Sequence, residues 1–169
     1  MIHMTKTKQV LSTKKMVYIA LLSAMAFVLT RFIQFPTALG YIHFGDSIIY
    51  LAAFLLGGGA AATVGAIGGG LSDLLSYPAY TLPTLIIKAL VGFTAAAIFK
   101  KCSNKIFGMI LAFVCGALIV AAGYYITEVA MTANFVSPLA SVPTNFLQTA
   151  MSVPVPVIMY FALKDRVIK

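Results

Sequence analysis

Residues 84–129 decide the fold, and they read TLIIKALVGFTAAAIFKKCSNKIFGMILAFVCGALIVAAGYYITEV. Two apolar runs, 84–99 and 106–129, flank a short loop that carries Lys100, Lys101 and Lys105. A helix of about 20 apolar residues crosses the hydrocarbon core of a bilayer, and short loops rich in Lys and Arg stay on the cytoplasmic side. This stretch therefore predicts two transmembrane helices joined by a cytoplasmic loop.

The other basic residues extend this pattern to the whole chain. Ten of the twelve Lys and Arg residues lie in three clusters, and the two clusters outside the central loop are Lys6, Lys8, Lys14 and Lys15 before the first apolar run, and Lys164, Arg166 and Lys169 after the last. All three clusters are expected in the cytoplasm, which requires an even number of crossings. The net charge of +8 therefore indicates membrane topology and not nucleic-acid binding.

Composition independently indicates a membrane protein, because 61% of the residues are hydrophobic and 9% are charged. An open sheet would leave backbone groups unpaired in lipid, so the spans are predicted to be helices. We interpret the first run as a retained span, since it lacks a clear small-x-small cleavage site. The prediction is one all-α integral membrane domain, residues 1–169, with both termini cytoplasmic and six transmembrane helices at about 16–32, 43–56, 60–75, 84–99, 106–129 and 143–163.

Lys88 is the most informative polar residue within a span. A central charge costs about 2.5–3.5 kcal/mol on insertion scales, so such residues are functional candidates. Its side chain could snorkel to the outer interface, or it could point into a cavity and pair with a carboxylate or a substrate oxygen. Glu128, near the outer end of the fifth span, is the expected partner.

Further polar side chains gather at the same predicted membrane face. Tyr124 lies four residues before Glu128 and so shares its helical face, and Asn145 and Gln148 share a face of the sixth span. Asp73 ends the third span, close in sequence to Tyr77 and Tyr80. Charged, amide and aromatic side chains together are typical of a small-molecule pocket, so the sequence predicts such a pocket at the external end of the bundle.

Three features have ordinary structural explanations. Asp46 precedes an apolar run and is expected to cap a helix. Gly65 and Gly69 form a smooth helix face, which packs either within the chain or between copies of it. Two prolines, Pro154 and Pro156, are expected to bend the sixth span.

Motifs for most enzyme classes are absent from the sequence. It contains no phosphate-binding Gly-x-x-x-x-Gly-Lys-Ser/Thr loop, no His-Glu-x-x-His motif and no nucleophile elbow. No metal site is predicted, because Cys102 and Cys115 are too few and unsuitably spaced. A binding pocket without a catalytic or ATP-binding motif indicates a substrate-capturing subunit that draws energy from partner proteins.

At this point the sequence resembles the membrane-embedded S components of energy-coupling factor (ECF) transporters, which import vitamins. The resemblance covers nearly the whole chain. It is carried by these stretches: Ala20-x-x-x-Ala24, Tyr41–Asp46 (YIHFGD), Gly68–Leu75 (GGGLSDLL), Pro83–Lys88 (PTLIIK), Glu128 and Pro143-x-Asn145-x-x-Gln148. The chain looks most similar to the group with riboflavin, hydroxymethylpyrimidine and pyridoxine-type members.

The resemblance implies a function and a set of partners. Ala20 and Ala24 would dock on a transmembrane coupling protein, the T component, which is driven by two cytosolic ATPases. This chain would bind no cofactor itself, and ATP would be used by the partners. The expected location is the bacterial cell membrane, and the ligand contacts implied are Lys88, Glu128, Asn145 and Gln148.

Hydroxymethylpyrimidine or pyridoxine is the expected substrate, with riboflavin as the alternative, because one Lys, one Glu and two amides suit a compact polar ring. The chain has no Trp, so Tyr77, Tyr80, Tyr124 or Tyr125 would have to stack on the ligand. Two other hypotheses remain at this point. One is a free-standing channel that oligomerises through Gly65 and Gly69, and the other is an assembly factor without a ligand.

Overall fold

The computed structural model describes residues 12–37 and 40–167, and it is a helical bundle with one short β-hairpin. Its helices are α1 Thr13–Arg31, α2 Gly45–Leu56, α3 Gly58–Ser76, α4 Thr81–Lys101, α5 Lys105–Thr132, α6 Val142–Met151 and α7 Pro154–Val167. Most of each of the six apolar runs is helical. Of the predicted topology signals, Lys6, Lys8 and Lys169 lie outside the described residues.

Length and hydropathy make several of these helices suitable for a bilayer. Within the described residues, four helical stretches are long and apolar enough to cross a membrane, namely Thr13–Arg31, Pro78–Lys101, Lys105–Thr132 and Ser137–Val167. The shorter Gly45–Leu56 helix is also apolar. The chain is therefore a helical integral membrane protein.

The segment between α1 and α2 forms a β-hairpin, where the sequence predicts only an irregular loop. Strand β1, Gln34–Thr37, pairs antiparallel with strand β2, Gly40–His43. The second span is expected to begin at about residue 43; its helix α2 begins at Gly45, and His43 ends β2. Pairing of the two strands satisfies backbone groups and holds the β2 side chains in a fixed position.

The sixth apolar run is broken and is not a single helix. It divides into α6 and α7 at Ser152 and Val153, directly before Pro154, whose ring nitrogen carries no hydrogen. Pro156, four residues after Ser152, also has no N–H, so the Ser152 carbonyl lacks a helical donor and accepts a hydrogen bond from Ser47 Oγ at 3.0 Å. A neighbouring helix thus supplies the partner that lipid cannot. Between the predicted fifth and sixth spans, α5 continues to Thr132 and residues 137–141 form a 3-10 helix.

Glycines allow α3 to lie close to its neighbours, α1 and α4. A Cβ on Gly65 would lie 2.5 Å from the backbone oxygen of Lys88, and one on Gly69 would lie 3.2 Å from Lys88 Cγ. This face is therefore covered by α4 within the chain, and the alternative that it forms an oligomer contact is wrong. Gly57, with φ of 88°, makes the turn between α2 and α3 in a conformation that favours glycine.

Candidate functional site

A pocket of about 200 Å³ opens where the hairpin meets α3, α5, α6 and the segments that precede α4 and α6. Its wall combines tyrosines, carboxylates, amides and hydroxyls contributed by several segments of the chain. The lining residues are Tyr41, His43, Asp73, Tyr77, Tyr80, Tyr124, Glu128, Ser141, Thr144, Asn145 and Gln148. Mixed aromatic and polar walls of this kind are usual for small-molecule sites.

The structure brings seven of the eight predicted ligand-contacting residues to this pocket. They are Glu128, Asn145, Gln148, Tyr124, Tyr80, Tyr77 and Asp73. The eighth, Lys88, is 2% exposed and is not part of the lining. Tyr125, one of the four tyrosines expected to stack on a ligand, is also outside the lining and donates instead to the Phe135 carbonyl at 3.1 Å.

Lys88 is held by Asp46, on α2, and not by Glu128 as the sequence predicted. Its Nζ donates to both carboxylate oxygens of Asp46, at 2.8 and 2.9 Å, and both side chains are almost fully buried. Gln148 Nε2 donates to the same carboxylate at 3.0 Å. The expectation that Asp46 caps a helix is also wrong, because α2 has Phe44 at its N-cap and no side-chain cap bond. A buried cation is therefore neutralised directly beneath the pocket.

Glu128 remains at the pocket wall and contacts the segment that leads into α6. Its Oε2 accepts a hydrogen bond from Ser141 Oγ at 2.7 Å. Both residues line the pocket. This hydrogen bond holds Oε2 of Glu128 against Ser141.

Asp73 joins the hairpin to the helices. It accepts hydrogen bonds from the hydroxyls of Thr84 and Tyr41, the latter at 3.3 Å. Because the Thr84 proton goes to Asp73, Tyr124 is the donor in the 2.9 Å contact between its hydroxyl and Thr84 Oγ1. Tyr41 also stacks on Tyr77, with ring centroids 5.4 Å apart and planes 16° apart. The hairpin therefore forms one wall of the pocket and is bonded to its base.

His43 lines the pocket, although the sequence analysis did not predict it as a ligand contact. Burial lowers its pKa to about 4, and the nearby Asp46 carboxylate opposes this effect. Its Nδ1 accepts from the Gly45 backbone N–H at 3.2 Å, which requires that nitrogen to be unprotonated. The side chain is therefore neutral at physiological pH.

Tyr41, Ser141 and Thr144 are further lining residues that the sequence reasoning missed. Tyr41 lies in the YIHFGD stretch that carries the resemblance, but nothing in the sequence placed its side chain. Ser141 and Thr144 flank Pro143, and their hydroxyls alone gave no signal. For cofactors, the described residues contain no group of three or more His, Cys, Asp or Glu side chains arranged to hold a metal ion.

A separate apolar groove runs between α1 and α3. It is lined by Met16, Ile19, Ala20, Ser23, Ala24, Phe27, Thr63, Ile67 and Leu71. Ala20 and Ala24 are both exposed there, whereas Ala26 on the same helix is 1% exposed and faces Gly68. The two small exposed residues leave space for a partner helix to approach.

Comparisons with known proteins agree with one another. A family model described as "ECF-type riboflavin transporter, S component" matches residues 10–165. The chain is similar to a solved structure described as the S component of a bacterial ECF transporter, with a TM-score of 0.71 and 26% sequence identity, over 90% of this chain and 96% of the other.

A curated relative gives a more limited match. It is described as an uncharacterized protein in the gap 3' region of Pyrococcus woesei, and it is 34% identical over 92 residues. That alignment covers 54% of this chain and 62% of the relative.

Proposed function

Because the chain belongs to the family of ECF-type riboflavin transporter S components, we propose that the pocket captures its vitamin and that partner proteins supply the energy for uptake. Members of this family are transport components and not enzymes. The observation that carries the proposal is the convergence of Asp73, Glu128, Asn145 and Gln148 from three helices on one pocket. Such convergence of distant polar side chains is unusual unless they bind something.

The proposed topology has six crossings, with the sixth made by α6 and α7 together, and both termini in the cytoplasm. The helix ends that carry Lys100, Lys101 and Lys105 lie away from the pocket, because the pocket is lined by Tyr80, directly before α4, and by Glu128, near the opposite end of α5. Lys and Arg favour the cytoplasmic side. The pocket would therefore open to the outside of the bacterial cell membrane, where the vitamin is captured.

A compact ring is the favoured substrate. A volume of about 200 Å³ lies below the roughly 300–1,000 Å³ that is usual for drug-sized ligands. This favours hydroxymethylpyrimidine or pyridoxine. The family match favours riboflavin, which would use the four lining tyrosines as stacking surfaces and would extend beyond the closed part of the pocket.

Ligand identity can be tested directly on the purified protein. Native mass spectrometry in detergent, followed by identification of small molecules released on denaturation, should find a pyrimidine, pyridine or flavin. A panel of vitamins should then include one that raises the melting temperature. If no ligand co-purifies and no vitamin changes the melting temperature, the binding function is wrong.

We further propose that the groove at Ala20 and Ala24 docks the T component, which acts with two ATPases, and that this chain itself binds no cofactor. Replacement of either alanine by Trp should block vitamin uptake by cells that contain the partners, because the ring fills the groove, while binding to the purified chain is retained. Met25→Trp is the matched control, since Met25 is exposed on α1 but is not part of the groove. Uptake at the wild-type rate by both alanine variants would refute this docking surface.

A further inference from the structure

Among the described residues, those that line the pocket include acidic side chains but no Lys or Arg. The acidic ones are Asp73 and Glu128. Lys88, the buried cation beneath, is matched by Asp46 at 2.8 Å and is 2% exposed. An ion pair this close presents little net positive potential to a third charge. A ligand phosphate or carboxylate would therefore meet carboxylates without a compensating cation.

The pocket also offers a ligand two acceptor atoms that no donor among the described residues occupies. Glu128 Oε2 accepts from Ser141, and among the described residues no donor bonds Oε1. Gln148 gives one of its two amide N–H groups to Asp46 at 3.0 Å, and among the described residues no donor bonds its Oε1, which is therefore available to a ligand. An ionised carboxylate and an amide oxygen can only accept hydrogen bonds. A ligand that reaches these two atoms must donate to them.

Asp73, the other lining carboxylate, offers a ligand less than Glu128 does. It already accepts from Thr84 and Tyr41, so Glu128 is the lining carboxylate with the more accessible oxygen. Asn145 and the tyrosine hydroxyls can both donate and accept, and they can adapt to either kind of ligand group. Glu128 is thus the lining residue that discriminates most strongly between donor and acceptor groups of a ligand, because an ionised carboxylate can only accept.

We propose that this pocket selects an uncharged or cationic heteroaromatic compound that points N–H or O–H donors at Glu128 and Gln148, and that it rejects the same ring once it carries a phosphate or a carboxylate. The proposal rests on the function proposed above, in which this pocket is the substrate site. It assigns Glu128 as a specificity-determining residue, and it means that the subunit favours vitamins in their dephosphorylated form.

Matched ligand pairs test the proposal. The dissociation constants of hydroxymethylpyrimidine and its phosphate, and of riboflavin and riboflavin 5'-phosphate, would be measured by calorimetry on the detergent-purified full chain. For whichever ring binds, the phosphate should bind about tenfold or more weakly, since like charges brought together at an interface are strongly disfavoured. Glu128→Gln should narrow this ratio by about tenfold, because it removes the repelling charge and keeps the shape.

Asp165→Asn is the control, since it removes an exposed carboxylate near the end of α7 and should leave the ratio unchanged. Equal binding of both members of a pair would overturn the charge selection while leaving the transport function intact. A weakly bound phosphate whose ratio Glu128→Gln does not alter would show exclusion by size, and would overturn the role of Glu128. If no compound of either pair and no other vitamin binds, the proposed function fails and this inference fails with it.

Discussion

The ion pair beneath the pocket gives the sharpest stability prediction. Asp46→Asn keeps the size of the side chain but removes the charge that balances Lys88. Both side chains are nearly inaccessible, and Lys88 Nζ makes its two described hydrogen bonds to this one carboxylate. Removal of one partner of a buried pair costs about 3–5 kcal/mol, because the other charge is left uncompensated.

The expected loss in melting temperature follows from that free energy. For a chain of this size, 1 kcal/mol shifts the melting temperature by about 2–4 °C, so Asp46→Asn should melt about 6–20 °C lower. Thermal unfolding in detergent, followed by far-ultraviolet circular dichroism, measures the change. Asp165→Asn, which removes an exposed carboxylate, should melt within about 1 °C of wild type.

A double replacement separates the effect of charge from that of packing. Lys88→Met combined with Asp46→Leu removes both charges and keeps similar volumes, and it should recover most of the lost stability, because well-packed apolar substitutes for buried ion pairs are often neutral. If Asp46→Asn melts like wild type, the reasoning that Lys88 depends on Asp46 for its burial is refuted. If the double variant melts as low as the single one, the loss comes from packing and not from an unpaired charge.

Three further changes test the packing and the pocket wall. Gly65→Ala should lower the free energy of unfolding by about 1–3 kcal/mol, because its Cβ would meet the Lys88 carbonyl. The control Gly59→Ala, with no atom within 4 Å of the new Cβ, should raise it by about 0.4–1 kcal/mol. Equal melting temperatures of the two variants would contradict the close contact between α3 and α4. The His43 pKa is about 4 in the folded protein against an ordinary value of 6.5, so the unfolded chain takes up the proton first as the pH falls. The free energy of unfolding should therefore be retained above pH 6.5 and fall by on the order of 3 kcal/mol as the pH drops toward 4. His43→Gln should flatten this part of a plot of melting temperature against pH, and an unchanged plot would show that His43 is not the group responsible. Tyr41→Ala should raise the ligand dissociation rate about tenfold in stopped-flow measurements, since it removes a wall and a donor, and an unchanged rate would indicate that the hairpin does not retain the ligand.

The sequence predicted the helices and the membership of the pocket for a clear physical reason. Apolar runs must lie in lipid, basic clusters must not, and polar residues at matching depths face one another when the helices bundle. Glu128 and Gln148 could therefore be placed near each other although they lie on different helices. Depth and helical periodicity contain this information, and both can be read from a single chain.

The partner of Lys88 could not be read in the same way. Glu128 and Asp46 both lie near the pocket ends of their helices, and only the lateral order of the helices in the bundle decides which one reaches the Lys88 ammonium group. That order depends on close contacts such as the approach of Gly65 to α4. The hairpin was missed because its strands are four residues each and contain Pro36 and Gly40, which on their own indicate a loop.

The break at Ser152 and Val153 has a consequence for how specificity can diverge. Asn145 and Gln148 lie on α6, while Tyr160 of α7 packs in the hydrophobic core. The break therefore separates the helix that lines the pocket, α6, from the helix that packs in the core, α7. Ser47 stabilises the connection between them through its bond to the Ser152 carbonyl. We expect that residues 142–151 can be exchanged between relatives as a unit, and that this exchange transfers ligand preference without a change in the packing of α7.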